Sequence, residues 1–182
     1  RTTQARTTYQ KAADLYRPLV GDHALNDDEL ASCLIRLGDL EDHLGNPAQA
    51  QAIRFRASEV VEHLADTTSY SDTLIRHLAD LVTVHDHLGN QDQKEQALRR
   101  AERLVTNATD DLTGTADVPF GGLNGDSWRT LASLMEQSAR LDLARECHIR
   151  ELAVHERSDD LLAIRRWAEA MKALALLHTR GG

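Results

Sequence analysis

The chain has 182 residues, of which 41% are hydrophobic, 4% aromatic and 27% charged, and its formal net charge is −8. An acidic chain lacks the clustered Lys and Arg that nucleic acid and anionic membrane surfaces require, so neither is expected as a partner. Ala and Leu dominate the apolar residues, which favours helices, and the length suffices for one domain with a sizeable core.

Cys33 and Cys147 lie far apart, so we expect no disulfide framework and no cysteine-based zinc site, only small buried residues. No apolar run approaches the length of a membrane span and no signal peptide is visible, which predicts a cytoplasmic location. The sequence contains no GxSxG, P-loop or GxGxxG motif, so we expect no enzymatic activity and no cofactor. Because the chain opens at Arg1 and 18 of its 21 basic residues are Arg, we interpret it as part of a longer bacterial protein.

Apolar residues at helical spacing predict seven helices in chain order. They cover residues 3–17, 27–44, 47–66, 71–88, 91–108, 127–157 and 159–178. We expect the sixth to break near Leu141 into 127–140 and 142–157, because Ala139 to Asp142 falls where earlier helices carry a Gly-Asn turn. That break makes eight helical elements.

The predicted helix ends follow from capping chemistry. Gly45 and Gly89 are expected to stop two helices, because glycine readily takes the left-handed backbone conformation. Asn46 is expected to cap the next helix, with Pro47 at its first position. Asn26 with Glu29, and Asn90 with Gln93, predict two further helix starts of the same kind.

A repeat runs through the chain, because the segment Asp-His-Leu-Gly-Asn at 42–46 returns at 86–90. Its residues resemble the tetratricopeptide repeat family. The matching positions are Leu34, Leu37, Gly38, Gly45, Ala50 and Ala57; Leu78, Leu81, Gly89 and Ala101; Trp128, Leu131, Ala132, Ala139 and Ala144; Ile164, Trp167 and Ala168; and, in a half unit, Ala5, Tyr9 and Ala12.

The match departs from the family pattern in composition and spacing. Arg54, Leu98 and His148 replace the expected aromatic residue, and Lys94 and Glu151 each replace an Ala. Equivalent positions are 44 residues apart from 34 to 78, 50 apart from 78 to 128 and 36 apart from 128 to 164. The family repeats every 34 residues or so.

The resemblance implies an all-α, right-handed solenoid of stacked antiparallel helix pairs that spans 1–182 as a single domain. Its units are a half unit at 1–20, full units at 27–66, 71–108 and 127–157, and a half unit or cap at 159–178, with a long loop at 109–126. Neighbouring pairs must stack, because a helix pair cannot bury its apolar stripe alone.

In that family the first helix of each pair lines a concave surface that binds a peptide or a partner domain. The implied partner-binding residues are Asp39, Asp42, His43, Arg76, Thr83, Asp86, His87, Arg129, Ser133 and Glu136, with Ser32, Ile35 and Gln137 beside them. Their four carboxylates favour a basic or polar peptide. The Lys and Asn with which chaperone-binding members clamp a C-terminal carboxylate are missing at the matching sites. The implied role is an interaction scaffold in a larger regulatory or signalling protein.

Two other functions stay open. His77, Asp80, His85 and Asp86 resemble part of a metal-dependent helical hydrolase site, although consecutive helix residues point about 100° apart. We interpret His43 and His87 as surface residues near helix C-termini, where positive charge is favoured. The second alternative is a dimerisation domain, since a truncated solenoid exposes an apolar helix face and tends to pair, giving a homodimer.

Three large aromatic residues carry separate predictions. The spacing of Trp128 and Trp167 from neighbouring apolar residues predicts core positions. Phe120 lies in the glycine-rich loop, where we expect it to pack back onto the helices as a lid or spacer, the alternative being a disordered connector.

Overall fold

The computed structural model describes residues 2–19, 24–68, 71–110, 123–155 and 168–176, and this part of the chain is helical with no β-strand. The α-helices are α1 (Thr2–Tyr16), α2 (Ala24–His43), α3 (Pro47–Thr67), α4 (Ser71–Leu88), α5 (Gln91–Asp110), α6 (Gly125–Gln137) and α7 (Leu141–His155), with a 3-10 turn at Arg17–Leu19. Residues 168–176 are also helical. The all-α class and the break before Leu141 are therefore confirmed.

The chain divides into two compact units. The first comprises Arg1–Ser69 with Asp80–Lys94, and the second comprises Tyr70–Ala79 with Glu95–Gly182. Helices α4 and α5 each contribute residues to both units. The single repeat domain over 1–182 stays a prediction.

One turn geometry closes three of the helices. Gly45 N donates to Asp42 O at 3.0 Å while Asn46 N donates to Glu41 O at 2.8 Å. The equivalent pairs of bonds follow α4, at Gly89 and Asn90, and α6, at Ala139 and Arg140. This is the Schellman arrangement, in which the residue after the helix takes a left-handed conformation. Gly45, Gly89 and Ala139 have φ of 79°, 71° and 57°, which confirms the predicted stops.

The capping chemistry differs in detail from the prediction. Asn46 stands at the N-cap of α3 with Pro47 following, but its side chain makes no capping hydrogen bond. The side-chain amide of Asn46 donates through Nδ2 to the buried carboxylate of Glu41 at 2.8 Å, a charge-assisted hydrogen bond that fixes its orientation. Asn26 lies inside α2, which begins a turn earlier at Ala24. The side chain of Asn124 caps α6 through Ser127 N, which the sequence analysis missed.

The first unit has a continuous apolar core. Helices α1 and α3 both pack on α2. The buried side chains are Ala13, Leu30, Cys33, Leu34, Leu37, Ile53, Ala57 and Val84. Gly38 of α2 is also buried, and a Cβ built there would lie 3.0 Å from Arg54 Cγ on α3. Helices α2 and α3 therefore approach each other closely at Gly38.

In the second unit, α6 packs against α7 and buries one apolar face. That face includes Trp128, Leu131, Leu134 and Met135, which confirms the core position predicted for Trp128. Trp167, Phe120 and most of the loop at 109–126 lie outside the described residues, so their predictions stay open.

Both cysteines are buried helical residues, as predicted. Burial, reinforced by Glu146, raises the pKa of Cys147 to about 12, and burial with Glu29 nearby also raises the pKa of Cys33. The nucleophilic thiolate is therefore scarce at neutral pH at both positions. Among the described residues, no helix combines the length and the apolar character that crossing a membrane requires.

Candidate partner-binding surface

The ten predicted partner-binding residues lie on the first helix of each predicted pair. Nine are exposed and Arg129 is half-buried. They are Asp39, Asp42 and His43 on α2; Arg76, Thr83, Asp86 and His87 on α4; and Arg129, Ser133 and Glu136 on α6. Positions 39, 83 and 133 are repeat equivalents, as are 42, 86 and 136. Equivalent positions are thus exposed and polar in three alternate helices, α2, α4 and α6.

Two of these carboxylates bind one arginine. Arg54 of α3 places Nη2 3.1 Å from Asp39 Oδ1 and donates through Nη1 to Asp42 Oδ2. The Arg54 side chain is 7% exposed, whereas both aspartates keep two-fifths or more of their side chains in solvent. The guanidinium is thus neutralised by α2 at the surface while its methylene chain covers Gly38.

On α4, Asp86 and His87 turn to different partners. Asp86 Oδ1 accepts from Lys94 Nζ of α5 at 2.5 Å, and this hydrogen bond together with the lysine charge lowers the pKa of Asp86. The imidazole of His87 reaches back to the carbonyl of Thr83 at 2.9 Å. His43 and His87 are exposed near helix C-termini, as predicted.

The α6–α7 pair carries a larger charged cluster, formed by Arg129, Glu136, His148 and Glu151. Arg129 Nε donates to Glu151 Oε1 at 2.7 Å. His148 lies between the two acids, with Nδ1 3.1 Å from Glu151 Oε2 and Nε2 3.2 Å from Glu136 Oε1. The Glu151 side chain is fully buried, whereas Glu136 and Arg129 are each 36% exposed.

Opposing effects set the charge states of this cluster. Burial disfavours the imidazolium, but the hydrogen bonds and charges of Glu151 and Glu136 outweigh it and raise the pKa of His148. Burial likewise disfavours the Glu151 carboxylate, yet hydrogen bonds from His148 and Arg129 lower its pKa. Both groups are therefore favoured in their charged forms.

These ion pairs involve most of the residues that differ from the tetratricopeptide pattern. With the repeat spacing, His148 is equivalent to Arg54, and Glu136 to Asp42. Lys94 and Glu151 stand where other units place a buried Ala, such as Ala50 and Ala57 or Ala101. Four of the five departures thus hold the second helix of a pair to the first by charge, and the fifth, Leu98, is buried in the apolar core.

The basic partners Arg54, Lys94 and His148 were not among the residues predicted for this surface. A signal was present, because an acid near the end of each first helix precedes a basic residue on the next helix by 12, 8 and 12 residues. All four carboxylates of the predicted surface, Asp39, Asp42, Asp86 and Glu136, have such a partner within their own helix pair. Their attraction for an external cation is correspondingly reduced.

The residues of the alternative metal site have other neighbours. His85 is buried with Nε2 3.4 Å from Glu62 Oε1, while the adjacent Asp86 is exposed and bound to Lys94. Within the ranges that the structure describes, no three His, Cys, Asp or Glu side chains are placed to hold a metal ion.

No family model matches the sequence, and no curated protein matches it either. Among solved structures, the chain is similar to that described as the crystal structure of BtubC (BKLC) from P. vanneervenii, with a TM-score of 0.59 and 16% sequence identity. The match covers 99% of this chain and 66% of that chain, so this chain spans slightly less than two thirds of its length. At this identity the likeness concerns the fold alone.

Proposed function

We propose that the chain is a protein-interaction scaffold of the tetratricopeptide type, a right-handed solenoid whose first helices line a concave face that binds a peptide or a partner domain. The observation that carries this proposal is the recurrence of exposed polar side chains at equivalent positions of α2, α4 and α6. In repeat proteins, exposed side chains that recur on one element of each repeat provide contacts for an extended ligand. In this proposal the scaffold belongs to a larger regulatory or signalling protein.

The ion pairs refine the ligand that this surface favours. Because its carboxylates already have basic partners, a polar peptide that carries scattered basic residues fits it better than a strongly basic one. Such a ligand exchanges hydrogen bonds with Ser32, Ser133 and the exposed edges of the ion pairs, at little cost in broken salt bridges.

Charge insertion at the uncharged positions tests the proposal without breaking any ion pair. Ser32→Arg on α2 and Ser133→Arg on α6 each place a cation among the exposed first-helix residues. We expect each to weaken binding of a mixed polar and basic peptide, selected from a peptide array, by about fivefold, since like charges near contact repel by about 1 kcal/mol in water. Fluorescence anisotropy with the labelled peptide measures the change.

The matched controls are Gln51→Arg on α3 and Gln96→Arg on α5, which add the same charge at exposed positions of second helices. They should leave the affinity unchanged. Equal losses in all four variants would contradict a first-helix surface, and an array without any binder would contradict peptide recognition altogether.

Exposed apolar side chains favour homodimerisation as a second candidate. Leu15 is 71% and Phe55 55% exposed, and Ile149, the repeat equivalent of Phe55, is 45% exposed. Large exposed apolar side chains favour association. Light scattering of the wild type against Phe55→Ser decides: a dimer that dissociates in the variant supports this function, whereas a wild-type monomer at high concentration removes it.

A further inference from the structure

The contacts of His148 indicate its protonation state. Both ring nitrogens lie at hydrogen-bond distance from a carboxylate, Nδ1 from Glu151 and Nε2 from Glu136. A neutral imidazole has one N–H and one lone pair, so it donates to one of the two acids and turns a lone pair towards the other. Only the imidazolium donates to both. The arrangement is therefore complete only when His148 is protonated.

The surrounding charges also favour the imidazolium. Among the described residues, Glu136 of α6 and Glu151 of α7 itself face His148, and Arg129 of α6 binds Glu151 from the other side. Arg129 also lies 3.9 Å from Asp126, so carboxylates outnumber the cations of this cluster when His148 is neutral. Glu151 is fully buried, but Glu136 has access to water.

We propose that His148 is a proton-dependent clasp between α6 and α7, closed by the imidazolium and opened when His148 is deprotonated. In the open state neutral His148 keeps its bond to the buried Glu151, which Arg129 also holds, and Glu136 is released to solvent. Glu136 leaves rather than Glu151 because only a surface carboxylate is hydrated without unfolding. The release adds a free carboxylate to the proposed partner surface; that consequence, unlike the clasp, rests on the proposed function.

Comparison with the other helix pairs shows what is particular to α6 and α7. At the position equivalent to His148, Arg54 joins Asp42 through a guanidinium that stays charged at any relevant pH. On α5, Lys94 joins Asp86 through an ammonium group, so only the pair α6 and α7 uses a histidine at this place. Of the three clasps, the one at His148 responds to pH near neutrality.

The sign of the pH dependence follows from the raised pKa of His148. A histidine of this kind contributes stability that is fully present below its unfolded-state pKa, about 6.5. That contribution is lost as the pH rises through the higher pKa of the folded protein. The clasp is therefore closed in mildly acidic conditions and opens as the pH rises through the folded-state pKa of His148.

Two measurements on the same chain test the clasp. The first is an NMR titration of the histidine ring protons, with the His148 signal assigned by its loss in His148→Arg. The second is hydrogen exchange of the α6 and α7 amides, measured in the wild type and in His148→Arg at each pH. The ratio of the two rates cancels the intrinsic pH dependence of amide exchange. The arginine variant reproduces the residue that α3 carries at the equivalent position.

We expect His148 to titrate above about 6.5. We also expect the protection of the α6 and α7 amides in the wild type, divided by that in the variant, to fall as the pH rises. The total fall is about tenfold for each pH unit by which the folded-state pKa of His148 exceeds its unfolded-state value. A His148 pKa at or below the ordinary value overturns the proposal. Identical pH dependence of exchange in both proteins overturns it as well. Glu136→Gln provides a further check, because it must lower the pKa of His148.

Discussion

Ala139 occupies a backbone conformation that suits glycine better. It has a φ of 57° at the turn after α6, where the equivalent turns carry Gly45 and Gly89. A left-handed conformation costs an L-residue about 1–2 kcal/mol because Cβ crowds the following carbonyl. The strain is tolerated because the turn bonds from Ala139 and Arg140 complete the end of the helix.

We predict that Ala139→Gly raises the free energy of unfolding by about 1 kcal/mol, since the relief of strain exceeds the added entropy of the unfolded chain. Gly45→Ala and Gly89→Ala should each lower it by a similar amount, although a Cβ at either position meets nothing within 4 Å. Urea denaturation followed by circular dichroism measures all three. A loss of stability in Ala139→Gly would contradict the strain argument.

Glu151 is the second residue that local rules disfavour. It is fully buried where Ala57 and Ala101 occupy the equivalent positions, and Arg129 and His148 compensate its charge. Removing one member of a buried charged cluster leaves the others without a partner, whereas replacing several by apolar residues costs far less.

We therefore predict that Glu151→Ala lowers the free energy of unfolding by about 3 kcal/mol. The double variant His148→Leu/Glu151→Ala recreates the Leu98 and Ala101 combination of α5, and it should lose less than Glu151→Ala alone. A double-mutant cycle from urea denaturation gives the coupling. Additive losses from the two substitutions would show that the cluster does not act as a unit.

At the scale of elements, the helix pair α2–α3 depends on the missing side chain of Gly38. Arg54 passes over this glycine on its way to Asp39 and Asp42, so close helix packing and the ion pair share one space. Steric and electrostatic complementarity are thus coupled within this pair.

Side chains of different size at position 38 should test this close packing. We predict that Gly38→Leu costs about 1–3 kcal/mol by overpacking. Gly38→Ala should cost less, because the atom nearest to its Cβ belongs to the flexible Arg54 side chain. Thermal unfolding compares the two. If Leu is tolerated as well as Ala, α2 and α3 do not approach as closely as the structure indicates.

At the scale of the molecule, the chain is acidic, with a net charge of −8, but each carboxylate of the predicted surface has a basic partner. Neutralising Asp39, Asp42, Asp86 and Glu136 together should weaken binding of a basic peptide and reduce its salt dependence. It should also lower stability, because the nearly buried Arg54 and His148 lose their counter-charges. Anisotropy at several salt concentrations, beside urea denaturation, measures both. Unchanged binding and salt dependence would contradict a role of these acids in recognition.

The sequence by itself determined the helices, because their signals are local. Apolar periodicity placed α3, α4 and α5 close to their observed bounds, and Gly45 and Gly89 marked turns that glycine favours. The class of fold and the buried position of Trp128 followed from the same patterns.

The tertiary structure alone decided which charges meet. Whether Asp42 faces a ligand or Arg54, and whether Glu151 is buried, depends on how two helices face each other across a turn. Helix propensity and capping carry no information on that pairing, because they act within one helix. Asn46 shows the same limit, since its side-chain amide donates to Glu41 of the preceding helix and makes no capping hydrogen bond. Long-range electrostatic partners therefore shaped the candidate site in ways that local pattern did not predict.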